Sequence, residues 1–386
     1  MTDSLQLYAT LLTAFCTHIP RRMFGDVRRL MGLAWAVVGL CLTKTVNFSL
    51  WGEVVISEAT YASSHQRRFQ RWLHNPQIRP IKFYFPLLRA ALRTWGAAET
   101  LYLALDTSDL HNGYILIRLA LIYRGRAIPI AWRVFKHNST SVSYKDYKIL
   151  LKQAVLILPP GLPVVLLTDR GFVHVALVKF ARRHGWGYRL RAKASTVVRL
   201  PGGRVANMAQ LCPPKGHAHF YHGVAILGVR IGPVHIALAN PEAADEEPWY
   251  IISNAPTDVT TLDEYALRFD IEEGFLDDKA GGFQVESSKL ADPQVIERLF
   301  LVLAVATLHF TSVGVAVVQR QTRRWVDTHW QRGMSYLKIG WQWLRQQFRR
   351  RWPILPPLGL APGADPEPVS AAQPKRQWIV SCFGQP

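Results

Sequence analysis

The sequence predicts an α/β (α+β) protein in which helices flank a mixed sheet, with an all-β insertion and helical regions before and after the core. Three observations predict this fold class. Between residues 100 and 193, strand-like and helix-like apolar patterns follow one another in the order β-β-β-α-β-α-β. Residues 194–255 contain only short strand patterns separated by Gly and Pro turns. Apolar residues make up 49% of the 386-residue chain, which is typical of a globular protein.

These changes of pattern divide the chain into six predicted regions. In order, they are a basic helical region (1–97), the first part of the α/β core (98–193), the all-β insertion (194–255), the second part of the core (256–315), a basic helical region (316–352) and a Pro-rich tail (353–386). The tail is expected to be disordered because its composition provides few residues for a packed core.

The first region contains a strongly basic predicted helix. The stretch SSHQRRFQRWLHNP spans residues 63–76, where a serine would cap the start of the helix and Pro76 would end it. Three of its side chains, Arg67, Arg68 and Arg71, could contact phosphates of a nucleic acid. The alternative is that they form an ordinary solvated helix face.

The α/β core begins with three segments that predict an antiparallel meander. Turn signals at Asn112-Gly113 and at Gly125 separate the segments LYLALDTS, YILIRLALIYRG and AIPIAWRVF. Two helix–strand units follow, at residues 144–157 and 163–169 and then at 173–184 and 187–193. We expect the first and fourth strands to be neighbours in the sheet.

The charge balance indicates a polyanionic partner. Lys and Arg number 46 against 27 Asp and Glu, so the net charge is +19 and the pI is about 10.1. Such a field attracts nucleic acid or an acidic membrane. The apolar stretch 299–318 is long enough to cross a bilayer, but polar residues such as His309 interrupt it, so we expect a buried helix and no membrane partner. Four widely separated cysteines suit a reducing cytoplasm.

Two aspartates occupy unusual positions in the predicted sheet. Asp106 interrupts an apolar strand, and Asp169 ends another. If these strands are neighbours, the two carboxylates lie side by side, and their mutual repulsion favours a cation between them. Carboxylate oxygens suit Mg²⁺ or Mn²⁺. The alternative for each aspartate alone is a structural role, as a turn cap or as part of a β-turn.

A third carboxylate is predicted on the helix EYALRFDIEEGFLDDKAGG, residues 264–282. Tyr265, Arg268, Glu272 and Lys279 project within about 60° of one another, in the row that should pack on the core. Glu272 could therefore complete a metal site with the two aspartates. The alternative is a buried ion pair on this row. Four other acidic residues of the helix fall on the opposite side, where a solvated face is expected: Asp270, Glu273, Asp277 and Asp278.

The spacing Tyr265-x2-Arg268-x3-Glu272-x6-Lys279 resembles the YREK signature of bacterial DDE transposases, in the insertion-sequence group that excises its element through DNA hairpins. The segments LALDTS and LLTDRGF resemble the first and second aspartate motifs of that group. An all-β insertion between the second aspartate and the glutamate is also the family's arrangement. The resemblance covers roughly residues 100–310.

This resemblance implies an RNase H-like catalytic core in which Asp106, Asp169 and Glu272 hold two divalent metal ions. It also implies that Tyr265, Arg268 and Lys279 contact phosphates near the transposon end. An Arg fork and a Lys point charge both suit phosphate oxygens. The segment EEPWYIISN, residues 246–254, resembles the one in which the group carries a Trp that stabilises a flipped base, and this role falls on Trp249. Packing is the alternative role for that residue.

The function implied by the resemblance is cut-and-paste transposition in the bacterial cytoplasm, in association with the nucleoid. The implied partners are double-stranded DNA, as terminal inverted repeats and as target, and a second copy of the chain in a homodimeric DNA complex. Two alternatives stay open: an RNase H-like metal-dependent nuclease without strand transfer, and a DNA-binding repressor without catalysis.

One further group of residues has metal-ligating chemistry. The segment CPPKGHAHFYH contains Cys212, His217, His219 and His222. Its spacing matches no zinc finger or zinc knuckle, and alternate residues of a strand point to opposite faces. We therefore expect no metal there.

Overall fold

The computed structural model describes residues 3–137, 142–228, 230–279, 282–350, 352, 355, 358–369 and 378–383. Six helices form the N-terminal region, as its pattern predicts. They are α1 (Asp3–His18), α2 (Arg21–Phe24), α3 (Val27–Thr43), α4 (Phe48–Val54), α5 (Ala62–His74) and α6 (Pro80–Ala91). The apolar helix α3 lies at their centre, and the indole of Trp72 on α5 donates to the carbonyl of Arg29 on α3 at 2.9 Å.

The predicted basic helix is α5, but its cap differs from the expectation. The helix begins at Ala62, so both serines lie inside its first turn, and Tyr61 precedes it without a side-chain cap. The predicted serine cap is therefore wrong, although the helix ends at His74, just before Pro76.

The core sheet has the predicted order of elements. Its parts are β1 (Leu101–Asp109), β2 (Tyr114–Tyr123), β3 (Arg126–Lys136), α7 (Tyr144–Ile157), β4 (Val164–Thr168), α8 (Val175–Arg183) and β5 (Gly187–Arg191). Strands β1 to β3 are antiparallel, whereas β4 is parallel to β1 and β5 is parallel to β4. The spatial order β3-β2-β1-β4-β5 is that of an RNase H-like sheet, and β1 and β4 are neighbours as expected.

The insertion is built of strands, as predicted, and it continues the core sheet. Its strands are β6 (Val197–Arg199), β7 (Val205–Asn207), β8 (His217–Ile226), β9 (Ile231–Ala239) and β10 (Trp249–Ser253). Strand β10 pairs antiparallel with β5, and the order then runs β9-β8-β6-β7. One hydrogen-bonded sheet therefore passes from the core through the whole insertion.

The helix that carries the Tyr, Arg, Glu and Lys row consists of two segments. Helix α9 (Val259–Ala266) and helix α10 (Asp270–Asp278) are joined by the 3₁₀ turn Leu267–Phe269. Helix α9 begins with a capping box in which Asp258 accepts from the backbone of Thr261. Helix α10 packs across β1, β2 and β3.

Helix α11 (Pro293–Gln319) is the apolar segment that was expected to be a buried helix. It is long and apolar enough to cross a membrane, but 94% of its most apolar window is buried within the protein. Helix α12 (Tyr336–Arg350) crosses it closely, because a Cβ on Gly314 would collide with the carbonyl of Tyr336 and one on Gly340 with that of Phe310. Glycine therefore permits the contact of the two backbones.

The expectation of a disordered tail is corrected for residues 358–369. Leu360 is 1% exposed, its N–H donates to the carbonyl of Ala91, and its own carbonyl accepts from the indole of Trp95 at 2.6 Å. Further along the chain, β11 (Ile379–Phe383) pairs in parallel with β8. These segments are ordered by contacts with the rest of the protein, which the composition of the tail does not reveal.

Candidate active site

Strand pairing brings the two predicted aspartates to one place. In the parallel register of β1 and β4, Leu105 lies opposite Thr168, so the residues that follow them, Asp106 and Asp169, are also neighbours. The Oδ1 atom of Asp169 is buried and has no hydrogen-bond partner among the described residues. The arrangement therefore leaves a carboxylate oxygen available for a cation.

Helix α10 and the turn before it bring Glu272 and Arg268 to the same place. The guanidinium of Arg268 donates from Nη1 to Asp106 Oδ2 at 2.7 Å and from Nη2 to Glu272 Oε1 at 2.8 Å. Its side chain is only 5% exposed, whereas that of Glu272 is 53% exposed. Arg268 therefore bridges a largely buried carboxylate, 15% exposed, and an accessible one.

The electrostatics of the site follow from burial and from these neighbours. Burial raises the pKa of Asp106 to about 6; Arg268 and the N–H of Thr107 lower it, and the charges of Asp169 and Glu272 raise it. Burial lowers the pKa of Arg268, but Tyr265 and the three carboxylates outweigh burial and hold it above its ordinary value. Arg268 is thus the counter-ion of a cluster of carboxylates.

The carboxylate oxygens of this site are of the type that binds divalent metal ions, but in the structure two of these carboxylates bind the guanidinium of Arg268. Within the described ranges, no three His, Cys, Asp or Glu side chains are arranged to hold a metal ion. The guanidinium of Arg268 instead binds one oxygen each of Asp106 and Glu272. For all three carboxylates to hold divalent ions together, this guanidinium would have to leave its present position.

Two other members of the predicted DNA contacts are buried. Tyr265 is 0% exposed and Trp249 is 6% exposed, with ring centroids 5.5 Å apart in an edge-to-face contact. They belong to a small apolar cluster on the insertion side of the sheet. Burial also raises the pKa of Tyr265 to about 12. Contact with a phosphate or a flipped base would require this cluster to open, so both roles stay predictions.

Lys279, the last residue of the row, lies at the end of α10 and is partly exposed. Its N–H donates to the carbonyl of Phe275 at 3.1 Å. Among the described residues, no carboxylate forms an ion pair with its ammonium group within 4.0 Å. The row is thus divided: Arg268 is held in the carboxylate cluster, and Lys279 stays accessible.

The expectation of a solvated acidic face on α10 holds for Glu273, which is 51% exposed, but it is wrong for Asp277 and Asp278. Asp278 is 5% exposed and pairs with Arg118 of β2, which lies directly opposite Asp106 in the sheet. Asp277 pairs with Arg126 at 3.1 Å. The signal in the sequence was Arg118 itself, because an arginine within the apolar segment YILIRLALIY requires a buried carboxylate as its partner.

The predicted basic helix presents an accessible cationic surface. Arg67 and Arg71 are exposed on α5 and line a surface depression of about 500 Å³ together with Ser64, Gln70 and His74. Arg68 is half-buried, and burial lowers its pKa. The helix therefore offers two of the three predicted arginines directly to a partner.

The Cys and His segment shows ordinary packing. His222 contacts the carbonyl of Thr257 through Nε2 at 3.0 Å, and its ring lies 5.2 Å from that of His235. His219 packs on Phe383 of β11. No metal-binding group is found in this segment or elsewhere in the described part of the chain.

The strand order and the site define an RNase H-like α/β protein with a carboxylate cluster at the junction of β1, β4 and α10. No family model matches the sequence, and no curated protein matches it significantly. A solved structure that is similar is the cryo-EM structure of a piggyBac transposase synaptic complex with hairpin DNA. The identity is 11% and the TM-score is 0.44, over 91% of this chain and 82% of that chain.

Proposed function

We propose that this chain is a DDE transposase that moves an insertion sequence by metal-dependent strand cleavage, hairpin formation and strand transfer. One observation carries the proposal: β1, β4 and α10 converge so that Asp106 and Glu272 bind the buried guanidinium of Arg268, with Asp169 beside Asp106. The spacing of Tyr265, Arg268, Glu272 and Lys279 supports the same function through its resemblance to the YREK signature. The excess of cations supports DNA as the substrate.

In the proposed reaction, Asp106, Asp169 and Glu272 hold two Mg²⁺ or Mn²⁺ ions. When bound, these ions would supply charge stabilisation for the attacking and leaving oxygens. The protein itself must position the strands, because the second attack, by a 3′-OH on the opposite strand, needs a strongly bent DNA end. The accessible Lys279 is suited to hold a phosphate of that strand, and Arg268 could join it once it leaves the carboxylates.

The proposal is tested with the purified chain, Mg²⁺ and DNA that ends in the terminal repeats flanking its gene. A transposase gives nicked, hairpin and strand-transfer products. A nuclease gives cuts without joined products, and a repressor gives a stable complex without cuts. The absence of strand transfer from precleaved ends under conditions that support nicking would contradict the proposal.

Lys279→Ala is expected to separate nicking from hairpin formation. Because the Lys279 ammonium forms no ion pair among the described residues, its loss should shift the melting temperature only slightly. The variant should still nick the first strand but accumulate nicked DNA at the expense of hairpin, since the second attack depends on positioning. A gel that resolves intact, nicked and hairpin DNA measures this. Equal slowing of both steps, or unfolding, would contradict the positioning role.

DNA binding is expected to weaken steeply with salt, because a chain of net charge +19 should displace many phosphate counterions. Between about 50 and 200 mM salt we expect at least a roughly hundredfold loss of affinity. The double variant Arg67→Gln, Arg71→Gln should reduce the log–log slope by about 2. Fluorescence anisotropy measures the slope. An unchanged slope would show that α5 does not contact phosphates.

A further inference from the structure

The connection between α11 and α12 is a loop that a buried ion pair holds in one conformation. Arg323 and Asp327 are 5% and 0% exposed, and their side chains meet at 2.9 Å. Arg323 also donates to the carbonyls of His329 at 3.0 Å and Trp330 at 2.8 Å. Asp327 accepts the N–H groups of His329 and Gly333, both at 3.1 Å. Residues 323–333, which we call the Trp loop, are therefore ordered by their own polar core.

Two acidic residues of the tail, Asp365 and Glu367, also bind the Trp loop. Arg323 also pairs with Glu367, and Arg332, which is 3% exposed, pairs with Asp365 at 2.6 Å. Arg332 donates to the carbonyl of Met334 at 2.8 Å as well. Buried charges of this kind are costly unless every one is paired, and here they fix the backbone of a surface loop.

The Trp loop exposes the indole of Trp330 to solvent. Trp330 is 78% exposed, the highest value for a large apolar side chain among the described residues. The guanidinium of Arg324 lies 4.4 Å from the centroid of its ring. Nearby in the chain, Trp325 is 57% exposed and stacks on Trp343 at 5.8 Å. A rigid loop that holds an aromatic ring away from the core is suited to recognition.

The charges around the loop favour a nucleic acid over a protein. In the described part of the chain, Arg324, whose guanidinium lies on the ring of Trp330, and Arg320, three residues before the loop, form no ion pair with a carboxylate. Aromatic faces and guanidinium planes both stack on nucleobases, and these two cations would meet the phosphates beside them. A base within a duplex is covered by its neighbours, so only an unpaired base can stack on a side chain at the surface.

We propose that Trp330, with Arg324, is a stacking site for an unpaired nucleobase of DNA. The inference rests on the proposed function only in taking DNA as the partner, since the site lies outside the carboxylate cluster. It assigns to the α11–α12 connection the recognition of distorted or single-stranded DNA.

The test compares two oligonucleotide duplexes, one fully paired and one with a single unpaired 2-aminopurine. Trp330→Ala should bind the second about tenfold more weakly and the first almost unchanged, and the quenching of 2-aminopurine should be lost. Trp330→Phe should keep most of the affinity and quenching, because it keeps an aromatic face. Trp330→Leu is the matched control that keeps apolar surface without that face, and it should behave like Trp330→Ala.

Three results would overturn the proposal. One is an unchanged affinity of Trp330→Ala for the unpaired base, and another is full binding by Trp330→Leu. The third is an altered oligomeric state of Trp330→Ala in sedimentation with unaltered DNA binding, which would make the Trp loop a protein interface. Cleavage assays distinguish this failure from that of the proposed function: loss of stacking with retained cleavage rejects only the stacking site, and stacking without cleavage rejects only the transposase.

Discussion

Asp106→Asn is expected to abolish divalent-ion-dependent DNA cleavage, by at least about a hundredfold, while DNA binding stays close to that of the unsubstituted chain. The amide has nearly the same shape as the carboxylate, so the strand pairing of β1 is kept. It removes the negative charge that is needed to hold a divalent ion beside Asp169. Gel assays of cleavage and anisotropy measurements of binding give the two quantities.

Asp109→Asn provides the matched control, because Asp109 lies three residues further along β1 and is exposed. It should cut DNA at the normal rate. Asp169→Asn and Glu272→Gln should repeat the effect of Asp106→Asn. If any of the three carboxylate variants cleaves at the normal rate, that residue is not a metal ligand.

Arg268→Ala is expected to lower the free energy of unfolding by about 3 kcal/mol at pH 8, because Asp106, whose side chain is only 15% exposed, would be left without its partner. The substitution is the largest stability change that we expect from the row. Thermal and denaturant unfolding measure it, and Arg268→Lys should recover part of the loss because it restores the charge without the fork.

The stability deficit of Arg268→Ala should increase with pH. The pKa of Asp106 is about 6 in the folded protein, above its ordinary value of 3.8, so this residue contributes stability below pH 4 that is lost as the pH rises to about 6. Arg268 lowers the pKa of Asp106, so its removal should raise this pKa further. The stability lost as Asp106 ionises should then be larger, and stability should continue to fall at higher pH. The deficit of Arg268→Ala should therefore be small at pH 4 to 5 and greatest at pH 8.

The control for this experiment is Arg28→Ala. Arg28 pairs with Asp26 at 2.7 Å, the same separation as Arg268 and Asp106, but its side chain is 84% exposed. Its loss should not measurably change stability at any pH, since water screens such a pair. Equal effects of the two substitutions would mean that Arg268 is more accessible than the structure shows.

The order of the core elements could be predicted from the sequence because burial determines the periodicity of each segment. Helix α7 covers residues 144–157, as predicted, and β4 lies within the predicted segment 163–169. The expectation that β1 and β4 are neighbours in the sheet then follows from the order of the elements that separate them, β2, β3 and α7. The placement of Asp106 beside Asp169 needed no more than this.

The partners of Arg268 could not be predicted in the same way. Helical spacing shows that Arg268 and Glu272 share a face, but both an ion pair and a phosphate contact satisfy that pattern. The choice depends on how far the side chain of Asp106 reaches across from β1, which is a tertiary distance. Likewise, Leu360 and Asp365 order the tail through partners more than 25 residues away in sequence, whereas composition reports only local content.

The continuity of the sheet has a consequence for any attempt to shorten this chain. If residues 194–255 were removed, β5 would lose its partner β10 and become an open edge with unpaired N–H and C=O groups. Two buried arginines of β5 would also lose hydrogen-bond partners, since Arg189 donates to Ser253 at 3.1 Å and Arg191 to Glu247 at 3.2 Å. Such an edge invites pairing with other chains, so a minimal core would tend to aggregate. The insertion therefore keeps β5 from being an exposed edge strand of the sheet.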